Sequence, residues 1–434
     1  MVVKPVTFRS KTDLKLSIIL LILIILFFSF PGNQVVADDI GVNKLDSSTV
    51  NNINNQVQTV GKQEARSVLQ ICQDFGLGLT YKGEIIFSKN YGSSSISRSQ
   101  RWASVSKSVF ALIVMQLVED GVIDIKTPIR NYAAKYANYL PDSHKDLNLE
   151  SLLVHLGGVC HLCSSCPACF NGQGECGNVF LNNPREYFRY SSCGFGIIGD
   201  VLRTKTGQET SALIENYIAK PIDANSLQGT NNFWTPAAYV QSDIYDMARF
   251  GTAVVNHEYV SSDTLYGTML VDYTSSYNDA TTGDKANPRG IGFSLSGSGQ
   301  EQIIYHSGYM GDDGERALLW IKPRKKLVIA MLCQPKTGNT QTPYFWSLAE
   351  TLETILYSNS NPTPTPTSIP SSTPVPTPSL TCFNNDNQIL NTDDVSAWAD
   401  HYLSSNSFDI NADFLVNTWE FGWLLLNWHQ TCSL

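Results

Sequence analysis

Charge is sparse in this chain, and positive charge is sparser still. Only 16% of its 434 residues are Asp, Glu, Lys or Arg, and 30 basic residues stand against 39 acidic ones for a formal net charge of −9. Proteins that grip nucleic acid need a basic face to neutralise phosphates. The one local basic cluster, Arg324, Lys325 and Lys326, falls where a hairpin turn is expected, so nucleic acid is excluded as a partner. The 42% apolar content excludes a disordered chain. The length implies two folded units plus tails.

The first residues set the compartment. Lys4, Arg9, Lys11 and Lys15 precede an apolar run over residues 16–30, which Pro31 and Gly32 stop. Val35-Val36-Ala37 supplies the small residues of an export cleavage site, so residues 1–37 read as a signal peptide, with an uncleaved membrane anchor as the alternative. Either way the remainder works outside the cytoplasm, secreted or at the cell surface. Ten cysteines in an exported protein read as disulfide material. Cys160, Cys163, Cys166 and Cys169 recur every third residue. That run is expected to be a disulfide-stapled loop, with a zinc knuckle around His161 as one alternative and an iron–sulfur set as another. The latter lacks the longer last gap of that motif.

Residues 38–64, polar and asparagine-rich, read as a flexible lead-in. Strand-like and helix-like segments alternate over 65–357 and end in an expected helix over 344–356. Residues 358–380 interleave seven prolines, from Pro362 to Pro378, with Thr and Ser. This linker cannot build a core and spans on the order of 70 Å at most.

Ser104-Val105-Ser106-Lys107 opens an apolar stretch over 109–118 that ends at Gly121. A serine at a helix start with a lysine one turn later puts both polar groups on one face at the helix mouth. There the lysine can take the serine proton, and the free N–H groups favour an alkoxide.

With its flanks, Ala103-Ser104-Val105-Ser106-Lys107-Ser108 resembles the nucleophile segment of the penicillin-binding and class C β-lactamase-like serine hydrolases. Further segments follow in that family's order. Gly76-Leu77-Gly78-Leu79-Thr80-Tyr81-Lys82-Gly83 looks like its first strand and turn. Leu152-Leu153-Val154-His155-Leu156-Gly157-Gly158 resembles its histidine–glycine landmark, and 236–250 a later helix. The resemblance covers residues 65–356 and implies an α+β fold: an antiparallel sheet flanked by helices plus an all-helical domain. The family's tyrosine–x–asparagine motif has its counterpart in Tyr190-Ser191-Ser192. Tyr190 becomes the candidate general base, since nearby cations favour a phenolate. Ser192 stands where relatives carry the asparagine that holds the lysine and the acyl amide. His306-Ser307-Gly308 fits the third, cleft-lining motif, and the resemblance puts the backbone N–H groups of Ser104 and Tyr309 in an oxyanion hole. It also makes His155 structural, although a Ser-His-Asp triad would tempt one to use it. Lys336-Thr337-Gly338 and Tyr357-Ser358-Asn359 spell two of the motifs literally, but each stands at the wrong place in the chain. The cysteine loop is expected to rim the cleft, with Cys193 placed to tie it down.

The last stretch, 381–434, repeats itself at an offset of 26 residues: Leu390-Asn391-Thr392-Asp393 against Val416-Asn417-Thr418-Trp419. Each copy reads as a polar loop feeding an amphipathic helix. Asp409, Asn411, Asp413, Asn417 and Glu420 take positions one, three, five, nine and twelve of a calcium loop. The pair resembles a dockerin, which implies a cohesin-like scaffold as partner. Phe414 replaces the usual glycine and Phe383 the first ligand of the first copy, so one weak calcium site is expected. Cys382 and Cys432 bracket this module and are expected to pair.

The expected function is therefore acyl transfer by Ser104, Lys107, Tyr190 and His306, with Ser192, Ser307, Gly308 and Tyr309 binding substrate and no cofactor for catalysis. The substrate is a D-alanyl cell-wall peptide or an ester. The alternatives are a β-lactamase and a catalytically silent wall-binding or scaffold-docking protein.

Overall fold

The computed structural model describes residues 43–59, 67–92, 98–162, 165–166, 179–311, 314–338 and 345–358. The expected signal peptide, the proline-rich stretch beyond residue 358, the expected calcium-loop module with Asp409 to Glu420, and Cys163, Cys169, Cys176, Cys382 and Cys432 lie outside these residues.

Among the described residues eight strands form: β1 Cys72–Tyr81, β2 Glu84–Gly92, β3 Gln100–Arg101, β4 Gln241–Ser242, β5 Ser294–Ser296, β6 Ile303–Tyr309, β7 Arg316–Lys322 and β8 Leu327–Pro335. Six of them make one antiparallel sheet in the order β2-β1-β8-β7-β6-β5. The first hairpin thus pairs with the last strand. Lys82 and Gly83 both have positive φ, 54° and 83°, and Tyr81 faces Glu84. These are the marks of a two-residue turn whose twist matches its strands. The basic cluster 324–326 lies in the connection between β7 and β8, as its turn-like composition suggested.

Alternation along the strands splits the core in two. Phe75, Leu77 and Leu79 of β1, with Leu318, Trp320, Ile329 and Met331, face one side. Leu319, Ile321, Val328, Ala330 and Leu332 face the other. The first side is covered by α1, Ser47–Thr59, and a C-terminal helix, Phe345–Ser358. The helix α1 corrects the expectation of a flexible lead-in over 38–64. Ile53 and Val57, one turn apart, are fully buried, and Asp46 accepts the Thr49 N–H at 2.9 Å. Ile53 and Val57, with the partly buried Val50, suffice to dock a helix whose remaining residues are Asn, Ser, Thr and Gln.

The second side carries the helical region inserted between β2 and β5: α2 Ser106–Glu119, α3 Leu149–Leu153, α4 Ser192–Thr206 and α5 Ile244–Asn256. The glycines of β1 belong to this side. A Cβ on Gly76 would meet the Ile244 Cβ at 2.8 Å, and one on Gly78 the Ala248 Cβ at 2.7 Å, so their bareness lets α5 lie directly on the strand. The bridge Cys72–Cys333 ties β1 to β8, its Cα atoms 5.5 Å apart. Among the described residues no helix is long and apolar enough to cross a membrane.

Candidate active site

Ser104 lies in a single 3-10 turn, Ala103–Val105, that runs into α2. Ala103 holds φ at +48°, a left-handed value unusual for a residue with a Cβ. Such strain persists only where the surroundings over-determine it, and here they do. Trp102, fully buried, donates its indole N–H to Ser242 Oγ at 3.0 Å, and its backbone N–H to Val240 O at 2.8 Å. Ser106 Oγ accepts the Val240 N–H at 3.1 Å, and Ser108 donates to Gly292 O at 2.6 Å. Ser106 and Ser108, both C-terminal to Ser104, thus anchor its turn to two other segments, while Ser104 itself keeps partial exposure.

Lys107 is completely buried, and its Nζ makes three contacts: Ser104 Oγ at 3.3 Å, Ser192 Oγ at 3.2 Å and Ala237 O at 2.8 Å. Nζ also lies 5.0 Å from the Tyr190 ring centroid, where the phenol favours its charged form. Burial, more than any neighbour, pulls its pKa below the usual lysine value. A lysine so placed can give up a proton and offer a lone pair to the Ser104 hydroxyl. Ser104 and Lys107, three residues apart, meet at the helix mouth, and Tyr190, distant in the chain, comes to the same amine.

Tyr190 leads into α4. Ser191 is the N-cap: its Oγ accepts the Gly194 N–H at 2.7 Å and donates to Cys160 O at 2.6 Å. His155, buried and at φ +61°, accepts the Ser191 N–H on Nδ1 at 3.1 Å and lies 4.4 Å from the Tyr190 ring. It braces the tyrosine. Its pKa is held well below the ordinary histidine value, by burial first and then by Arg289 and Lys107, so it stays neutral.

On the opposite wall, β6 carries His306, Ser307, Gly308 and Tyr309. A Cβ on Gly308 would fall 2.2 Å from Trp102 O and 3.0 Å from Ala103 Cβ. Only glycine therefore lets this strand lie against the turn before the nucleophile. His306 is buried, 6.4 Å from the Tyr190 ring, and its Nδ1 donates to Ser307 O at 2.9 Å. Burial, reinforced by Lys107 and Arg289, lowers its pKa to about 3. It is a neutral imidazole here, unable to act as a cation. Tyr309 is half exposed, its ring 4.1 Å from the Arg316 guanidinium.

Two participants carried no motif. Arg289 stacks its guanidinium 5.4 Å from Phe188 and 5.2 Å from the Tyr190 ring. Its buried Nε has no hydrogen-bond partner among the described residues. Its signal was faint: one cation between Pro288 and the glycines 290 and 292, whose bareness fits the chain against Met269 O and Ala111 Cβ. The second is His161, whose Nδ1 accepts the Ser192 N–H at 3.3 Å. The cysteine loop is fastened there by Cys166–Cys193, and Cys160 is disulfide-bonded as well. Those sulfurs are thereby removed from any zinc or iron–sulfur set. Among the described residues no cluster of His, Cys, Asp or Glu could hold a metal ion. The two literal motif matches are elsewhere: Lys336 Nζ donates to Leu69 O, and Tyr357 packs on Tyr81 across the sheet.

A family profile described as Beta-lactamase matches residues 74–348. Protein flp of Staphylococcus aureus (strain MW2) is 20% identical over 318 residues, 63% of this chain and 60% of that protein. The chain thus spans about 60% of the length of that curated relative. The solved structure of a D-amino acid amidase from Ochrobactrum anthropi SV3 covers 71% of this chain and 100% of its own, at TM-score 0.58 and 14% identity. A Beta-lactamase/D-alanine carboxypeptidase from Yersinia pestis covers 71% and 97%, at TM-score 0.57 and 13% identity. These structures share the fold.

Proposed function

The chain belongs to the beta-lactamase family of serine hydrolases, and from that premise we propose that it performs acyl transfer through a Ser104 acyl-enzyme on D-alanyl peptides or related esters. The observation that carries the reading is the fully buried Lys107, within 3.3 Å of Ser104 Oγ. Ser104 Oγ attacks the substrate carbonyl carbon while its proton passes to the Lys107 amine, with Tyr190 as relay. The backbone N–H groups of Ser104 and Tyr309 take the developing oxyanion. Collapse breaks the bond to the leaving amine or alcohol, which receives the proton. Water then attacks the acyl-enzyme, returns a proton by the same route, and frees the acid and Ser104.

Arg289 supports a carboxylate-bearing substrate, because a guanidinium at the cleft that forms no ion pair among the described residues, its Nε without a partner there, is the natural partner of a carboxylate. Ser192 weighs against a β-lactam, since its side chain already binds Lys107 and is too short to grip an acyl amide as well. The amidase and carboxypeptidase with this fold act on D-amino acid derivatives, as their names state. An oxidising, extracytoplasmic compartment is part of this reading and is supported by the bridges Cys72–Cys333 and Cys166–Cys193. We further propose that the module over 381–434 is a calcium-stabilised tether to a cohesin-like scaffold, a reading supported by its sequence repeat and the spacing of Asp409, Asn411, Asp413, Asn417 and Glu420.

The test is covalent labelling. Fluorescent penicillin or a fluorophosphonate should label the protein, and Ser104→Ala should abolish both the label and nitrophenyl-ester turnover. Folded protein that neither labels nor turns over ester would leave a silent docking protein as the reading. Arg289→Gln should lower kcat/KM for a carboxylate-terminated D-alanyl peptide at least tenfold more than for its methyl ester.

A further inference from the structure

The cysteine loop reaches the site through the side chain of His161. The His161 carbonyl accepts the Cys193 N–H at 3.0 Å and its Nδ1 the Ser192 N–H at 3.3 Å. A backbone N–H can only donate, so Nδ1 is unprotonated and the neutral ring carries its hydrogen on Nε2. Desolvation, then the charge of Lys107, holds the His161 pKa below the ordinary value, so this neutral tautomer is the one present at pH 7. The ring stands edge-on to Tyr190, 5.1 Å between centroids at 63°, while the residue is exposed. The Cys166–Cys193 bridge pins the loop at the residue next to Ser192.

Apart from Arg289, assigned above to a substrate carboxylate, the side-chain donors packed around Lys107 are committed. Lys107 is occupied by Ser104, Ser192 and Ala237 O, and the Ser192 hydroxyl sits on Lys107. His306 spends its Nδ1 hydrogen on Ser307 O. The Nε2–H of His161 remains, at the rim beside Tyr190. An N-acylated amino-acid substrate differs from a plain ester by a second carbonyl one residue from the scissile bond, about 3.8 Å away along the chain. We propose that His161 is a specificity-determining residue whose Nε2–H donates to that acylamino carbonyl, so that N-acylated D-amino-acid substrates are preferred over substrates without one. The disulfide-fastened loop supplies the group that Ser192 is too short to provide. The proposal rests on the Ser104 acyl-enzyme reading and names its substrate class.

The full chain and its His161→Ala and His161→Gln variants are assayed on two nitrophenyl esters, N-acetyl-D-alaninate and propionate. The expected result is a fall in kcat/KM for the acetamido ester of about tenfold in His161→Ala, with less than threefold change for propionate, and partial recovery in His161→Gln, which keeps an acceptor and a donor. An equal fall on both esters would make His161 a cap of α4 and nothing more, overturning the proposal, as would no change on either. If the wild-type protein turns over neither ester, the acyl-enzyme reading fails separately. N-acetyl-D-alanine binding, measured by calorimetry, then decides: weakening in His161→Ala upholds the proposal and unchanged affinity overturns it.

Discussion

Replacing Lys107 by methionine separates its chemical contribution from its structural one. The nearly isosteric thioether keeps the buried stem and removes the amine. Ala237 O and Ser192 Oγ lose their 2.8 Å and 3.2 Å partner, worth about 1 kcal/mol each. Against that loss, the folded state no longer shelters a group that burial makes reluctant to carry charge. The two effects oppose, and the net stability change should stay within about 2 kcal/mol. The rate should not be spared. Removing a positioned acid–base group typically lowers rate by about 10²–10⁴, or roughly 3–5 kcal/mol in barrier at 1.36 kcal/mol per decade. Burst kinetics with a nitrophenyl ester measure acylation, and thermal denaturation measures stability. Lys107→Arg adds a control, for it restores donors and charge yet never deprotonates; it should be as inactive as Lys107→Met. In the wild type, acylation should rise with pH through an inflection below the ordinary lysine value, because the amine acts only after losing its proton. Either variant retaining more than a tenth of the wild-type acylation rate would refute the assignment of Lys107 as proton acceptor.

Gly308→Ala should cost about 1–3 kcal/mol of stability and most of the acylation rate, because the new methyl meets the Trp102 carbonyl at 2.2 Å; denaturant unfolding and burst amplitude check both. His306 has a folded pKa of about 3 against 6.5 unfolded, so the unfolded chain binds the extra proton and stability falls as pH drops below 6.5. At pH 5 this one ring should account for about 2 kcal/mol relative to neutral pH, with His155 acting in the same direction, and His306→Gln should flatten the denaturation midpoint between pH 5 and 7. The double variant Cys72→Ala, Cys333→Ala opens a bridge between residues 261 apart and should lower stability by about 2–4 kcal/mol. It should leave acylation by folded protein within about twofold, since Cys333 packs on the sheet face away from Ser104.

Much of the scaffold is local and therefore legible in the chain. The alternation of Phe75, Leu77 and Leu79 with glycines announces a strand with one face closely approached. Lys82-Gly83 announces its turn, and the apolar stretch after Lys107 its helix. The Ser104–Lys107 pair needs no tertiary help, because three residues along a helix mouth already bring the side chains together. What the chain could not disclose was everything settled by distant packing. The helix at 47–59 is too polar to be read alone and forms because Ile53 and Val57 find a buried place against the sheet. Arg289 belongs to no motif, and it enters the site because Gly290 and Gly292 let its loop press on Met269 O and Ala111 Cβ. His161 lay in a cysteine run that spacing alone could assign to disulfides or to metal, and the bridge from Cys166 to Cys193 placed it beside Tyr190. Periods of 2 and 3.6 residues record energies between near neighbours, and those the sequence determined by itself. Only the tertiary structure decided which cations and imidazoles converge on the phenol, because that depends on shape complementarity between segments 29 to 116 residues apart.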